Sequence, residues 1–371
     1  MIIKERLKKF RWLYYSYREI QKLKQARMLL WKNAVENFEE EKPTKGSLAN
    51  YRQAMLRHLV SYDEYMYCYE FWNKDKKQWE EFISLLEIWC IYRKTVQVSV
   101  AQNAKNKILC LKSFEKFVSR NWLYPKEVTY TVFKEFINTF DCLAKPKKGS
   151  LGNGIFRIEK GDEDDIKRLY VFCCENDYII EELLKGNKEM EEFHPNSLNT
   201  IRVFTISKGE RCELISAVFR MGVGDRIVDN GFAGGILAPI DINTGVVTRE
   251  GRDERGHTYT EHPDSGKTIK GFVIPQWQNV VNTCKNMAKI MDNLVFAGWD
   301  ICVCENGHVE LVELNSYPSV TIMQTATLQG LKPRLRALGK EVLGYDPVKL
   351  ISVWSKSYVQ YENIYGRTDG E

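Results

Sequence analysis

The sequence predicts an α+β protein, and three observations predict it. Up to about residue 119 the chain is aromatic-rich with apolar residues at helical spacing. From Phe140 onward, short apolar runs follow one another at close intervals in the manner of antiparallel strands. Near the end, Phe296–Pro318 (FAGWDICVCENGHVELVELNSYP) places two β-branched runs on either side of Asn306-Gly307, the strongest short hairpin signal. Short antiparallel strands with a few helices define the class.

Whole-chain numbers bound the rest. At 371 residues there is room for two or three lobes. A formal charge of +5 is too balanced to imply nucleic acid, and 44% hydrophobic content is globular. The ten cysteines form no CxxC pair, with Cys173-Cys174 and Cys302-x-Cys304 closest. Scattered through apolar runs, and with no signal peptide, they lead us to expect reduced thiols in a cytoplasmic protein. There is no HExxH, which argues against a zinc hydrolase, and no run long enough to span a membrane.

In order, residues 1–30 carry nine Lys/Arg and place Leu7, Phe10, Tyr14 and Tyr17 on one helical face. Such a helix could dock on an anionic membrane surface or a protein partner. The blander reading, which we prefer, packs its aromatic stripe on the protein's own body. Residues 31–95 continue helical, broken at 42–46 and 73–77. A helix is expected over 103–119 with Ile108, Leu111, Phe114 and Phe117 on one side. Its lysines, Lys107 included, read by themselves as a solvated face.

FDCLAKPKKGSLGNGIFRIEK (140–160) reads as strand, loop, strand. Its loop holds Gly149, Ser150, Gly152 and Gly154, and glycines let backbone amides approach a phosphate. Lys145 would add a fixed charge. The same loop equally fits an ordinary hairpin turn. It is not a Walker loop: the single Gly-Lys-Thr, at 266–268, has Glu261 where the first glycine should stand, and reads as a turn. Strands are expected at Tyr178–Leu184, Asn199–Ile206, Glu213–Arg220 and Leu237–Ile242. A helix over about Trp277–Met291 places Val280, Val281, Cys284, Met287 and Ile290 together, and a basic helix is expected near Gly330–Leu343.

With Asn306-Gly307 as a two-residue turn, Glu305 pairs with His308, Val303 with Glu310 and Ile301 with Val312. Asp300 then faces Glu313, and Asn315 lies two residues further on the same face. Facing carboxylates repel. A hard divalent cation resolves the conflict, because Asp300, Glu313 and Asn315 offer only oxygen ligands, as Mg²⁺ or Mn²⁺ prefers. An ordinary acidic hairpin face is the bland alternative, disfavoured by the apolar neighbours Cys302 and Leu311.

These features stand in an order that resembles the ATP-grasp superfamily of carboxylate–amine ligases, and most closely its sugar-transfer-associated branch, related to α-L-glutamate ligases. The phrases that carry the likeness are HPNSLNTIRVFT (194–205), IVDNGFAGGI (227–236), HPDSG (262–266), VIPQW (273–277) and GWDICV…LVELNSYPS (298–319). The likeness covers roughly 95–345, and nothing is carried onto the first 95 residues. It implies an ATP-grasp fold, two α+β lobes clasping ATP. Domain limits follow: a helical basic region at 1–95, lobe 1 at 96–190, lobe 2 at 191–345 and a tail at 346–371.

The resemblance further implies that Lys107 and Lys145 contact phosphates, and that the 149–154 loop closes over them. Glu181, Glu182, Leu183 and Leu184 would form the adenine hinge, chiefly through backbone groups. Asp300, Glu313 and Asn315 would hold one or two Mg²⁺, and Arg202 would steady charge on the transferred phosphoryl group. After the hinge the related pattern reads Gln-His-Pro-Glu, whereas this chain has Gly186-Asn187-Lys188-Glu189, which leaves Glu189 as the ribose contact only by position. Asn199, Arg220, Asn230, His262 and Asp264 sit at strand ends where loops build binding sites. Each equally fits a turn cap.

The leading expectation is an ATP- and Mg²⁺-dependent ligase joining an amine or amino acid to a carboxylate, with the sugar acceptor implied by the resemblance alone. Two alternatives stand beside it: a ligase extending a peptide or protein terminus, and a non-catalytic nucleotide-binding module recruited by the basic helix to a membrane or glycosyltransferase assembly. No Ser- or Cys-based catalytic triad is legible.

Overall fold

A computed structural model describes residues 24–148, 154–224, 235–291 and 293–351. Residues 24–41 are helical (α1) and bury Ala26, Leu30 and Ala34, so from residue 24 this segment packs on the protein's own core. The rest of the basic 1–30 stretch lies outside the described residues. Then come α2 (Leu48–His58), α3 (Lys76–Trp79) and α4 (Leu85–Thr95), with a π turn at Glu64–Cys68. Caps explain where these helices begin. Ser47 accepts from the Asn50 amide, Asp75 forms a capping box with Gln78, and Ser84 forms one with Glu87. The core here is aromatic, built on Tyr51, Tyr62, Tyr65, Tyr69, Phe71 and Trp79. Buried phenols need partners, and Tyr51 donates to the Leu30 carbonyl while Tyr69 donates to Glu64.

The helix expected over 103–119 is broken. It is α5 (Val98–Lys105) and α6 (Lys107–Ser113), because the Asn106 side chain turns back to accept from the Ile108 and Leu109 amides and starts a new helix. Ile108, Leu111 and Phe114 are buried as expected, but Phe117 lies past the end of α6, in a 3-10 turn over Glu115–Phe117, and is only half-buried.

A four-stranded antiparallel sheet follows, from β1 (Trp122–Leu123), β2 (Cys142–Pro146), β3 (Phe156–Arg157) and β4 (Tyr178–Glu182), in the order β1-β4-β2-β3. Two helices cover it, α7 (Tyr130–Thr139) and α8 (Glu163–Glu175), which the strand-by-strand reading passes over. Their signals were present: Thr129 caps α7, and Asp162 forms a capping box with Asp165. Phe133 and Ile137 of α7 pack with Ile166 and Cys173 of α8 over Cys142, Ala144 and Ile180.

After the short α9 (Lys188–Glu191), a seven-stranded antiparallel sheet is built from β5 (Thr200–Lys208), β6 (Arg211–Met221), β7 (Ile236–Ile240), β8 (Gly251–Arg252), β9 (Thr258–Tyr259), β10 (Phe296–Val303) and β11 (Val309–Asn315). The order is β11-β10-β5-β6-β7-β8-β9. Helix α10 (Trp277–Ile290) buries Trp277, Val280, Cys284, Met287 and Ala288. Ile290, expected on that stripe, is exposed, and Val281 is half-buried, because neither angle on the helix faces the sheet. Gly266-Lys267-Thr268 is a turn, with Gly266 at φ +69°.

The chain closes with α11 (Thr321–Thr327) and α12 (Lys332–Leu338). By their contacts the described residues form two compact units. One comprises those up to Gln97, Glu254–His257 and those from Ser319; the other comprises Val98–Asp253 and Thr258–Pro318. In the first unit Gln324 clamps Ile83, accepting from its amide at 3.0 Å and donating to its carbonyl at 2.8 Å. Buried Lys332 meets buried Glu87 at 2.8 Å. None of the ten cysteines forms a disulfide, and nine are buried. Among the described residues no helix is long and apolar enough to cross a membrane.

Candidate active site

Everything below lies in the second unit. The hairpin closes through a three-residue loop, Glu305–Gly307, rather than the expected two. Cys304 donates to the His308 carbonyl at 2.8 Å, and Gly307 takes φ +79°. That left-handed residue after a turn is what a three-residue hairpin needs, and glycine adopts it at no steric cost. The ladder therefore runs one residue out of step with expectation: Val303 faces Val309, Cys302 faces Glu310 and Ile301 faces Leu311. Val312 is then an extra residue, a β-bulge, and beyond it Asp300 faces Glu313 as expected. Asn315 falls opposite Gly298 and points its amide nitrogen to Asp300 Oδ2 at 3.4 Å.

On its other side β10 pairs with β5, which puts Arg202 directly opposite Asp300. Arg202 donates from Nε to Asp300 Oδ1 and from Nη2 to Oδ2 at 2.8 Å. Arg220, reaching over from β6, places Nη1 3.0 Å from the same Oδ2. Gly298 keeps this space open: a Cβ there would stand 3.4 Å from Arg202 Cδ and 2.7 Å from Pro318 Cβ. Burial works against ionisation of Asp300, but the two guanidiniums outweigh it and hold its carboxyl below the ordinary value. Glu313 goes the other way. Burial and then the Asp300 charge raise it, against the pull of Lys107, Lys145 and Arg202.

The four-stranded sheet contributes Lys145. On β2 and β4, Leu143 faces Glu181, so Lys145 is the diagonal neighbour of Glu181 and meets its Oε2 at 2.8 Å. Arg120, just before β1, donates from Nε to the same oxygen at 2.7 Å. Burial opposes the charge on Glu181, but these two cations bring it down to about 2. The Glu181 side chain is thus occupied within the protein. Of the hinge amides, Glu182 donates to the Asn121 carbonyl and Leu183 to the Asp141 carbonyl, while no backbone carbonyl among the described residues accepts from Leu184. The Glu182 carboxylate holds Asn121.

Lys107, at the first position of α6, is close enough to act on Glu313. Gly154 takes φ +74° against Pro146 and Tyr178. Gly149, Ser150, Gly152 and Asn230 lie outside the described residues. Glu189 is exposed on α9 and shares no contact with the Asp300 group; its carbonyl accepts from Lys267 at 2.7 Å.

Three of the acceptor candidates gather around Gly222–Gly224 at the end of β6. Asn199 donates to the Met190 and His194 carbonyls and accepts from the Gly222 amide. His262 takes the Gly222 carbonyl at 2.8 Å through Nε2, and its Nδ1 faces the Asp264 amide, which assigns the Nε2–H tautomer. Burial pushes this imidazole below its ordinary value. Asp264 accepts from the Gly224 amide at 2.8 Å and faces His194 Nδ1 at 3.0 Å. His194 and Asp264, with Lys188 and Ser265, border a cleft of about 620 Å³. Arg220, the fourth, belongs to Asp300 instead.

Arg120 and Glu310 are the residues that the motif reading missed. Glu310 is fully buried on β11, and a buried carboxylate demands a cation. Its position on an apolar strand was the available signal, but nothing in sequence said that the cation would come from position 120.

Asp300 and Glu313 supply two carboxylates and Asn315 an amide oxygen, a donor set whose chemistry fits a hard divalent ion. Among the described residues no cluster of three or more His, Cys, Asp or Glu is arranged to hold a metal. Arg202 holds both Asp300 oxygens, and Arg220 and Asn315 also crowd Oδ2, so the Glu313 carboxylate is the group best able to serve.

Two antiparallel sheets carry these residues, one the Lys145–Glu181 pair and the other the Asp–Glu–Asn set beside two arginines, and the fold is of the ATP-grasp class. Residues 124–340 match the family model of the sugar-transfer associated ATP-grasp proteins. The chain belongs to that family. Comparison with curated protein sequences finds no significant match.

Among solved structures it is similar to an ATP-grasp ligase, PsnB, complexed with minimal precursor, Mg and ADP (15% identity, TM-score 0.42, covering 69% of this chain and 62% of that one). It is also similar to D-alanine–D-alanine ligase from Bacillus anthracis complexed with ATP (14%, TM-score 0.40, 71% and 68%). A third is biotin carboxylase from Campylobacter jejuni (12%, TM-score 0.42, 71% and 49%). The chain thus spans about three-fifths of the length of the PsnB structure. Membership rests on the family match, and likenesses of this size say nothing of substrate.

Proposed function

We propose that this protein uses ATP and Mg²⁺ to join an amine or amino acid to a carboxylate on a sugar, in polysaccharide or capsule biosynthesis. The observation that carries the reading is the Asp300–Glu313 pair, with Arg202 directly opposite Asp300 and the charges of Lys107, Lys145 and Arg202 acting on Glu313. In this reading residues 96–190 and 191–345 are the two lobes. ATP would lie with its base at Glu181–Leu184, its ribose toward Glu189, its phosphates on Lys107 and Lys145, and the 149–154 loop above them. Asp300, Glu313 and Asn315 would hold Mg²⁺, which neutralises phosphate charge when bound; Mn²⁺ fits the same oxygens.

The acceptor carboxylate attacks the γ-phosphorus, the bond to the β-bridging oxygen breaks, and ADP leaves. The amine then attacks the acyl carbon of the resulting acyl phosphate, loses a proton and expels inorganic phosphate, leaving the amide. Little covalent chemistry falls to the protein, whose work is positioning and charge neutralisation. Arg202 would steady the transferring group, with Arg220 holding Asp300. The cleft beside His194 and Asp264 is our choice for the acceptor, with Asn199 and His262 holding the backbone of those two residues. The basic stretch 1–30 would dock a cytoplasmic enzyme on a membrane surface or a glycosyltransferase assembly.

The test is release of ADP and phosphate from Mg²⁺-ATP over pooled amino acids and pooled uronic acids, with mass spectrometry of products. ADP together with a new amide supports the reading. Release of AMP and pyrophosphate overturns the acyl-phosphate route, and ATP bound without turnover over any pool overturns the ligase assignment.

A further inference from the structure

Arg120 has no part in any motif, yet its guanidinium joins the two sheets of the second unit at the places where each carries a site residue. From Nε it donates to Glu181 Oε2 at 2.7 Å, the oxygen that also holds Lys145. From Nη1 it donates at 2.7 Å both to Glu310 Oε1 and to the Leu311 carbonyl, and Nη2 reaches the Val312 carbonyl at 3.3 Å. Successive carbonyls of a regular strand point to opposite edges, so one guanidinium cannot take two in a row. Leu311 and Val312 turn the same way because Val312 is the bulge residue. Arg120 therefore satisfies the polar groups that the bulge takes out of the ladder, and without that bulge every residue after Val312 would face one position away. Burial makes the arrangement strict: Arg120 is 5% exposed, Glu181 3% and Glu310 0%.

We propose that Arg120 is a positioning residue that couples the phosphate lysine to the metal carboxylate, holding Lys145 through Glu181 and the Glu313 register through the β11 bulge. The coupling rests on the ligase reading for its consequence in ATP chemistry, but its structural half does not. A single side chain thus sets both ends of the triphosphate and metal site, and its loss should impair nucleotide and metal binding together.

The experiment compares wild-type protein with Arg120→Ala, Arg120→Lys and Glu310→Gln, reading Mg²⁺-ADP affinity by calorimetry, Mn²⁺ affinity by electron paramagnetic resonance, and amide hydrogen exchange across the chain. Asp162→Ala, which removes a remote helix cap, controls for stability alone. The expected result is at least a tenfold loss in both affinities for Arg120→Ala, partly restored by millimolar guanidinium ion, and faster exchange in Glu181–Leu184 and Glu313–Asn315 together. Arg120→Lys should keep the charge but not the fork, and fall between. Unchanged affinities in Arg120→Ala, or losses equalled by Asp162→Ala at the same drop in melting temperature, overturn the proposal. If Arg120→Ala does not fold, Arg120→Lys and Glu310→Gln carry the same readings. If wild-type protein binds no nucleotide, the ligase reading falls, and exchange decides the coupling: faster exchange in only one of the two segments, or in neither, overturns it.

Discussion

Asp300 lies directly opposite Glu313 although the three residues of β10 that follow it pair one step out of phase with β11. A three-residue loop shifts the ladder by one position, and the bulge at Val312 shifts it back. Because side chains alternate faces, either device alone would send Glu313 away from Asp300.

That juxtaposition makes Glu313→Gln informative in two directions. Magnesium-dependent turnover should fall by at least about 100-fold, the scale of losing one preorganised electrostatic contact. Stability should move the other way. Burial and the Asp300 charge raise the Glu313 pKa, so its contribution is present at low pH and is lost as pH rises through the folded value. Without metal or nucleotide, the glutamine variant should therefore melt no lower than wild type at neutral pH. A variant with wild-type turnover would sink the metal assignment.

Lys145→Ala should weaken ATP binding about 10- to 100-fold, as expected for one charge-assisted hydrogen bond to phosphate. The lysine is held at 2.8 Å from Glu181 and cannot swing freely to solvent. Calorimetric titration with ATP checks this, and unchanged affinity would remove Lys145 from the phosphate site.

Glu181 sets an acid limit on the second unit. Its pKa is brought down to about 2 against burial by Arg120 and Lys145. A depressed carboxylate contributes stability that is present above its ordinary value near 4.5 and lost as pH falls toward 2. The loss should be on the order of 3 kcal/mol across that window. Denaturant melts from pH 5 to pH 2 would follow it, and Glu181→Gln should flatten the slope; a slope equal to wild type would mean that other groups carry the acid limb.

In the first unit, Gly330→Ala should cost about 1–3 kcal/mol or more, the range for overpacking a tight contact. A Cβ at Gly330 would stand 2.2 Å from the carbonyl carbon and oxygen of Glu81, backbone atoms that cannot step aside. Lys332, two residues on, already donates its amide to that carbonyl. An unchanged melting temperature would show that the α11–α12 connection tolerates a shift.

How much of this was legible before the chain folded varies by element. Strands β5, β6 and β7 were readable because each is a short apolar run buried along nearly its whole length, and helix α10 because it buries a periodic apolar set. The break at Asn106 was not, since a side chain that caps a new helix looks like any polar residue within an amphipathic run. Helices α7 and α8 carried cap signals at Thr129 and Asp162 that strand-like neighbours masked.

By itself, the sequence determined the α+β class, the family, and the pairing of Asp300 with Glu313, because local periodicity and motif order depend only on neighbours along the chain. The tertiary structure alone decided that Arg220 belongs to Asp300, that Asn199 and His262 are spent on Gly222, and that Arg120 joins the two sheets. Those partners stand between 23 and 192 residues apart, in no case near enough in sequence for a periodic pattern to record them. Only the burial of their charges and hydrogen-bonding groups, each of which must be satisfied away from water, brings them together.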